Sequence, residues 1–494
     1  MATELRIAGA ALALLGASAC IPEIKQTKVE NVLDAMPEHF ATETSTAATV
    51  ASDAPWQDLF ADPKLSELVE VALSNNQELQ ILAQEITARG AEVGEKNGEM
   101  FPRVDARAGV GIEKVGKYTS QGVSDEAHEV PEHLGSFTVG LYASWELDIW
   151  GKLRNATKAA VLRYLSTIEG RSFAVTRLVS EVASSYYELM ALDNELKVLD
   201  RNIELQQNAL ETARLLKASA RATELAVQRF EAEVLKNQSR RFEIQQEIIE
   251  TENHLGFLLG GFPRKIERDS EHFLASSPAV VKAGLPSDLL RNRPDVRQAE
   301  LGLQASELNV DVARAAFYPS LSIEAGIGYD AYKPERIFST PESILYGLAG
   351  NIVAPLFNRN AITANYLVAN ADKVRAVYDY QRTVLKAYAE AANGLSRVEN
   401  LARAFELEEK RVERLDASTK TSSTLFKSAR ADYLEVLTAR QELLESQLEL
   451  NELKKGQLKA TVSIYQALGG GWRSYVGPEE RQWTDWDDRS EERR

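Results

Sequence analysis

The 494-residue chain holds one cysteine, Cys20, so neither an intramolecular disulfide nor a cysteine-rich zinc site is available to it. Its five histidines (His39, His128, His133, His254, His272) are scattered. No run of 18 or more apolar residues occurs, which excludes a membrane-spanning helix. Positive charge is in deficit. Lys and Arg number 57 against 73 Asp and Glu, a net charge of −16, the wrong sign for a general nucleic-acid binder with a basic face. Glycine (28) and proline (15) are too sparse for a collagen-like or low-complexity chain. What is present, 44% hydrophobic and 26% charged residues, is the composition of a folded protein long enough for about three domains.

The setting of the lone cysteine is informative. Residues 7–19 are an apolar stretch of signal-sequence length, too short to span a bilayer, and they end in Ala17-Ser18-Ala19 directly before Cys20. This resembles the lipobox of bacterial lipoproteins, which implies cleavage before Cys20 and acylation of that residue, the acyl chains acting as a membrane anchor. Two features depart from the usual pattern: Ala17 stands where Leu is common, and the leader carries only Arg6, offset by Glu4. The alternative is an ordinary secretory leader with an unmodified cysteine. Either way the chain is exported.

The chain repeats itself. Phe101-Pro102-Arg103-Val104 followed by Ala108-Gly109-Val110-Gly111 matches Tyr318-Pro319-Ser320-Leu321 followed by Ala325-Gly326-Ile327-Gly328, 217 positions on. Ala220-Arg221-Ala222-Thr223-Glu224-Leu225 matches Ala429-Arg430-Ala431-Asp432-Tyr433-Leu434 at 209, and Leu259-Gly260-Gly261 matches Leu468-Gly469-Gly470 at the same 209. Two copies of one unit of about 210 residues follow, with one shared architecture expected for both.

Within each copy the apolar period switches. Residues 66–98 and 288–316 carry helical spacing. Then the period drops to two. Val104, Ala106, Ala108, Val110 and Ile112 alternate with polar or glycine positions, as do Phe137, Val139, Leu141, Ala143, Trp145 and Leu147, and Leu321, Ile323, Ala325, Ile327 and Tyr329. A fourth stretch, 343–356, is strand-like with poorer alternation. Each is long enough for a tilted strand to cross a bilayer. A soluble sandwich with one wet face has the same period. Four strands cannot close a barrel alone, and open edges are intolerable in lipid, so a membrane reading requires several chains to share one barrel. Long helices follow: 152–217, with Leu189, Leu192, Leu196, Leu199 and Ile203 spaced as a coiled-coil seam, then 221–258, and in the second copy 359–427 and 431–468. Sixty-six helical residues extend about 100 Å, so these are rods. Breaks near 217–223 and 427–432 are expected to be helix–turn–helix tips, and Gly260-Gly261 and Gly469-Gly470-Gly471 to be C-caps.

The lipobox, the duplicated halves, two strands per half and paired long helices resemble the TolC-like outer-membrane efflux proteins, in their lipoprotein branch. Local motifs agree: Trp56-Gln57-Asp58-Leu59-Phe60, Asn292-Arg293-Pro294-Asp295-Val296, Ser144-Trp145-Glu146-Leu147-Asp148-Ile149-Trp150-Gly151, Pro355-Leu356-Phe357 and Leu468-Gly469-Gly470-Gly471-Trp472. The resemblance covers about 55–470. It implies an α+β membrane protein, a tandem-duplicated protomer of a homotrimer whose 12-stranded outer-membrane β-barrel continues into a long periplasmic α-helical barrel. It implies as partners outer-membrane lipid, a periplasmic adaptor (membrane fusion) protein and an inner-membrane pump. The expected organisation is a leader over 1–19, a linker over 20–55 after the lipidated Cys20, repeats over 56–270 and 271–471, and a charged tail over 472–494. Loops 116–135 and 331–342 are expected to face the exterior, and helices 66–98 and 288–316 to form a belt around the rods.

A passive duct needs no nucleophile and no cofactor, so no enzyme activity is expected. It needs a polar lumen and a constriction, and lumen carboxylates would favour cations. The family commonly narrows its tunnel with an acidic ring just after the second tip. Matched on that motif, the inward positions are Leu434, Thr438 and Gln441, with Thr438 where Asp is often found and Gln441 where Arg is, so the charged ring does not carry over. Asp432, Glu435 and Glu442 are candidate substitutes whose facing the sequence does not give, and Leu434 fits a coiled-coil seam equally well. Arg221, Thr223, Leu225, Arg430 and Leu434 at the tips are candidates for adaptor docking, with plain solvent exposure as the alternative for Arg221 and Arg430. Gly111–Lys117 superficially fits a phosphate loop, but Tyr118 follows where Ser or Thr is needed. His128 and His133 read as solvated loop residues and no metal site is expected. The functional expectation is the outer-membrane component of a tripartite efflux system. The alternatives are the outer-membrane duct of a one-step protein secretion system and a periplasmic coiled-coil scaffold without a pore.

Overall fold

The computed structural model describes residues 21, 31–40, 56–60, 62–276, 286–357, 359–428 and 430–472. The leader, Cys20 and all of the expected tail except Trp472 lie outside the described residues. After a single turn at Trp56–Leu59 the order is α1 (Pro63–Asn75), α2 (Gln77–Gly98), β1 (Arg103–Glu113), α3 (Ser120–Ala127), β2 (Leu134–Leu147), α4 (Lys152–Ala218) and α5 (Glu224–Leu258). The second copy repeats it as α6 (Asp288–Asn292), α7 (Pro294–Ala315), β3 (Ser320–Ala331), β4 (Ile344–Val353), α8 (Asn360–Lys427) and α9 (Tyr433–Ala467). The chain is therefore α+β and tandem-duplicated. Among the described residues no helix is long and apolar enough to cross a membrane.

Two compact units are distinguished. One contains Ile86–Ser166 and Ala299–Tyr380, and with them the sheet; the other contains Asn31–Glu85, Thr167–Gln298 and Gln381–Arg494, and with them most of the long helices.

In the sheet unit the four strands run in the order β1-β2-β3-β4, every neighbouring pair antiparallel. The less regular stretch near 343–356 is a full strand, paired with β3 from Ser320↔Val353 to Tyr329↔Ile344. The segment joining β2 to α4 is built by its own motif. Asp148 accepts from the backbone N–H groups of Leu153 and Arg154, each at 3.0 Å, and so caps the helix. Trp150 stacks on Tyr318 at 4.8 Å and donates its indole N–H to the Pro319 carbonyl at 2.7 Å. Trp145 donates to the Met100 carbonyl at 3.0 Å.

The helical unit has an apolar core in which Trp56 and Phe60 are buried, so the opening motif is a packing motif. The expected seam is present: Leu189, Leu192, Leu199 and Ile203 are buried and Leu196 packs against them. Further along, Leu210, Ala213, Val227, Phe230, Val234 and Leu437 join α4, α5 and α9 in one cluster.

Three sequence expectations are corrected. The helix expected over 66–98 is two helices broken at Asn76, and that over 288–316 is two helices broken at Arg293, before Pro294. Both break residues are extended, Asn76 at φ −62°, ψ 125° and Arg293 at φ −88°, ψ 118°, the latter as a following proline demands. The loop expected over 116–135 contains α3, whose first turn Thr119 caps by accepting from the Gly122 N–H at 3.1 Å.

Candidate functional site

The side chains of the sheet divide by chemistry because strand side chains alternate. Across the register, one face carries the rows Val104–Ala143–Ala325–Leu348, Ala106–Leu141–Ile327–Tyr346 and Ala108–Val139–Tyr329–Ile344. The other carries Arg103–Ser144–Glu324–Ala349, Asp105–Tyr142–Gly326–Gly347 and Arg107–Gly140–Gly328–Leu345. The first face stays uncovered in the single chain: Val110, Leu141, Ile327, Tyr346 and Leu348 are all exposed. Among the described residues β1 and β4 have no strand on their outer edges. An uncovered apolar face of this size marks contact with lipid or protein.

The two hairpin tips are the same turn built twice. The Arg221 N–H reaches the Leu216 carbonyl at 2.8 Å, and the Arg430 N–H reaches the Leu425 carbonyl at 2.9 Å. Thr223 caps α5 by accepting from the Ala226 N–H, and Asp432 caps α9 by accepting from the Tyr433 N–H. These two candidates thus have their side chains engaged by their own helices. Leu225 and Leu434 follow at matching positions, 52% and 46% exposed, and Arg221 and Arg430 are exposed. Leu434 is therefore no seam residue within this chain. The seam is formed by Val436, Leu437, Leu443 and Leu444, all buried. Leu434, Thr438 and Gln441 make a stripe on the other side of α9, the first two exposed and the third half-buried. Asp432, Glu435 and Glu442 are exposed beside it. Arg440 turns away and donates to the Leu205 carbonyl at 2.7 Å.

The opposite ends of the hairpins carry contacts whose role the sequence did not disclose. Gly260 and Gly469 have φ of +72° and +82°, and the following glycine N–H bonds back to Gly256 or Tyr465, closing each helix as expected. A Cβ on Gly260 would lie 2.3 Å from the Asn75 carbonyl oxygen, and one on Gly469 2.4 Å from that of Asn292. Each glycine therefore seats a helix break. At the breaks, Asn76 donates to the Leu258 carbonyl and Arg293 to the Ala467 carbonyl, both at 3.0 Å. Arg293, 3% exposed, also holds both oxygens of Asp295 (3.0 and 2.7 Å) and reaches Glu390 at 2.8 Å. The Asn-Arg-Pro-Asp motif was visible in the sequence, but its partners were not.

Two ion clusters tie the rods. Arg268 holds Asp193 through two bonds of 2.6 and 2.8 Å and Glu252 through one of 2.6 Å, while Ser270 donates to Asp193 at 2.7 Å. Burial pushes the Asp193 carboxyl up, but Arg268 and Ser270 outweigh it and hold the group below the ordinary range. Glu188 is likewise raised by burial and lowered more by Lys459 and Lys455. Among the described residues no group of three or more His, Cys, Asp or Glu could hold a metal. His128 and His133 are exposed.

A four-stranded sheet with one apolar and one polar face and a duplicated set of long helical hairpins are features of an outer-membrane channel subunit. The model of the family described as "Outer membrane efflux protein" matches residues 68–261 and 285–470, and the chain belongs to that family. One matched segment falls within each copy. The solvent efflux pump outer membrane protein SrpC of Pseudomonas putida is 29% identical over 429 residues, 84% of this chain and 87% of that one. The cation efflux system protein CusC of Escherichia coli O6:H1 is 26% identical over 427 residues, 86% of this chain and 90% of that one. Among solved structures, the outer-membrane channel OprN superposes with a TM-score of 0.78 at 25% identity, covering 88% of this chain and 99% of that one. The open-state MtrE channel of Neisseria gonorrhoeae superposes at 0.77 and 24% identity, covering 92% and 98%.

Proposed function

We propose that three copies of this chain join β4 of one to β1 of the next, closing a 12-stranded barrel in the outer membrane. The apolar face meets lipid and the polar face lines an aqueous duct. The observation that carries this reading is the two-faced sheet whose outer edges have no strand partner among the described residues, because closure alone removes edges that lipid cannot tolerate. The long helices extend the duct through the periplasm to the tips. There Arg221, Leu225, Arg430 and Leu434 meet a periplasmic adaptor, and the stripe Leu434–Thr438–Gln441 lines an uncharged constriction. The leader 1–19 is removed and Cys20 is acylated, anchoring the mature chain.

The duct is passive and serves small-molecule efflux together with an inner-membrane pump. Relatives of 26–29% identity are named for pyoverdine, solvent, cation and antibiotic export, a spread that fits a duct reading little chemistry, with cargo choice lying mainly with the pump. Membership of an efflux family favours this over protein secretion. The test is incorporation of the purified full chain into a planar bilayer, with its oligomeric state measured in detergent. Trimers that conduct ions are expected. A monomer that conducts nothing overturns the reading and favours the scaffold.

A further inference from the structure

On the polar face, two adjacent rows hold only two long polar side chains, Arg107 and Tyr142. The Tyr142 row is Asp105–Tyr142–Gly326–Gly347 and the next is Arg107–Gly140–Gly328–Leu345. A Cβ built on Gly326 would lie 3.1 and 3.2 Å from Cδ1 and Cε1 of the Tyr142 ring. The ring therefore leans across β3 and occupies the place of the missing side chain. The guanidinium of Arg107 sits 4.9 Å from the ring centroid, and Asp105 lies 3.9 Å from the same guanidinium. Gly140 and Gly328 act differently. A Cβ on either would stand 2.7 or 2.4 Å from the opposite strand's carbonyl oxygen, so they permit close strand approach. Tyr142 is half-buried in spite of lying on the polar face.

We propose that Gly326 sets the bore of the barrel by giving the Tyr142 ring a place to lie flat against the wall. This rests on the polar face lining the duct. An aromatic ring that stands off the wall, repeated in each copy, would narrow the passage at one level. Laid over Gly326 and held by Arg107, it hides one apolar face from water and leaves the passage open. Gly326 thus sets the width of the passage at this level of the barrel, although it has no side chain of its own to project there.

The test compares single-channel conductance of Gly326→Val, Tyr142→Ala and the double variant with the unaltered chain, each in planar bilayers after its trimer is checked on a gel. Valine adds a Cβ in tight contact with the ring, 3.1 Å from Cδ1, and two methyl groups that need the space the ring fills, while favouring a strand. Gly326→Val is expected to lose conductance, Tyr142→Ala to stay at the unaltered level, and Gly326→Val/Tyr142→Ala to regain it. Unaltered conductance in Gly326→Val, or no recovery in the double variant, overturns the proposal. So does a clear gain in Tyr142→Ala, since the ring would then already block the passage. Should neither 326 variant assemble, the Tyr142→Ala comparison decides alone. Failure of the unaltered chain to conduct refutes the channel reading itself, a result distinct from any of these.

Discussion

Arg293→Met removes the charge that joins the start of α7 to the end of α9. The guanidinium serves Asp295 twice, Glu390 once and the Ala467 carbonyl once. Breaking a buried ion pair by deleting one partner costs roughly 3–5 kcal/mol. The lower end applies here. Asp295 keeps the Val296 N–H at 3.0 Å, and Glu390, 40% exposed, rehydrates. The groups left without a partner are the Ala467 carbonyl and one oxygen of Asp295, so a loss of about 3 kcal/mol is expected. Asn76 occupies the matching place in the first copy but is uncharged. Asn76→Ala loses the cap on Glu78 and Leu79 and strands the Leu258 carbonyl, for about 2 kcal/mol. The assay is guanidinium-induced loss of the far-UV circular dichroism signal in detergent, with the slope compared as well as the midpoint. Asp295→Asn supplies the double-mutant cycle, and a coupling above about 0.5 kcal/mol is expected between residues in contact. A midpoint for Arg293→Met equal to that of the unaltered protein, with the same slope, would refute the reasoning.

Gly260→Ala and Gly469→Ala should each lose at least about 1–2 kcal/mol from the left-handed backbone alone, and more from the clash with Asn75 or Asn292, read from the same unfolding curves. Val139→Lys on the apolar face should lower the yield of membrane-assembled trimer, since a Lys facing lipid costs roughly 2–4 kcal/mol at mid-depth, whereas Thr138→Lys on the polar face should assemble; equal yields would argue against the face assignment. Glu188 and Asp193 have folded values below their unfolded values of about 4.3 and 3.9. Their contribution is therefore complete above those values and lost as pH falls through the folded ones, and Glu188→Gln should lower stability at neutral pH while flattening the acid limb of a pH titration. Cys20→Ser should abolish incorporation of labelled fatty acid, and label retained in that variant would exclude acylation at this residue.

β1, β2 and β3 were legible because their alternation is written over nine residues or more, whereas β4 alternates poorly and its extent is fixed by its pairing with β3. The helix breaks were not legible, because what stabilises them lies far along the chain. Asn76 finds its acceptor 182 residues on and Arg293 174 residues on, beyond any local pattern. The stripe Leu434–Thr438–Gln441 could be placed on a helix from the motif, but not told from a seam until Val436 and Leu437 were seen to hold the packed side. Tyr142 and Gly326 required the strand register. The repeat itself carries one more signal. Its offset drops from 217 to 209 between the strand markers and the tip markers, so about eight residues are missing from the second copy within that interval. The structure puts the difference at the strand connections: 114–133 in the first copy, with α3 inside it, and the shorter 332–343 in the second. The tips and helix ends beyond those connections keep the 209 offset, down to the acceptor carbonyls of Leu258 and Ala467 and the left-handed glycines Gly260 and Gly469. Length change was tolerated where a connection faces solvent and refused where two helices must end against a third, the distribution expected when the rods and not the loops carry the packing.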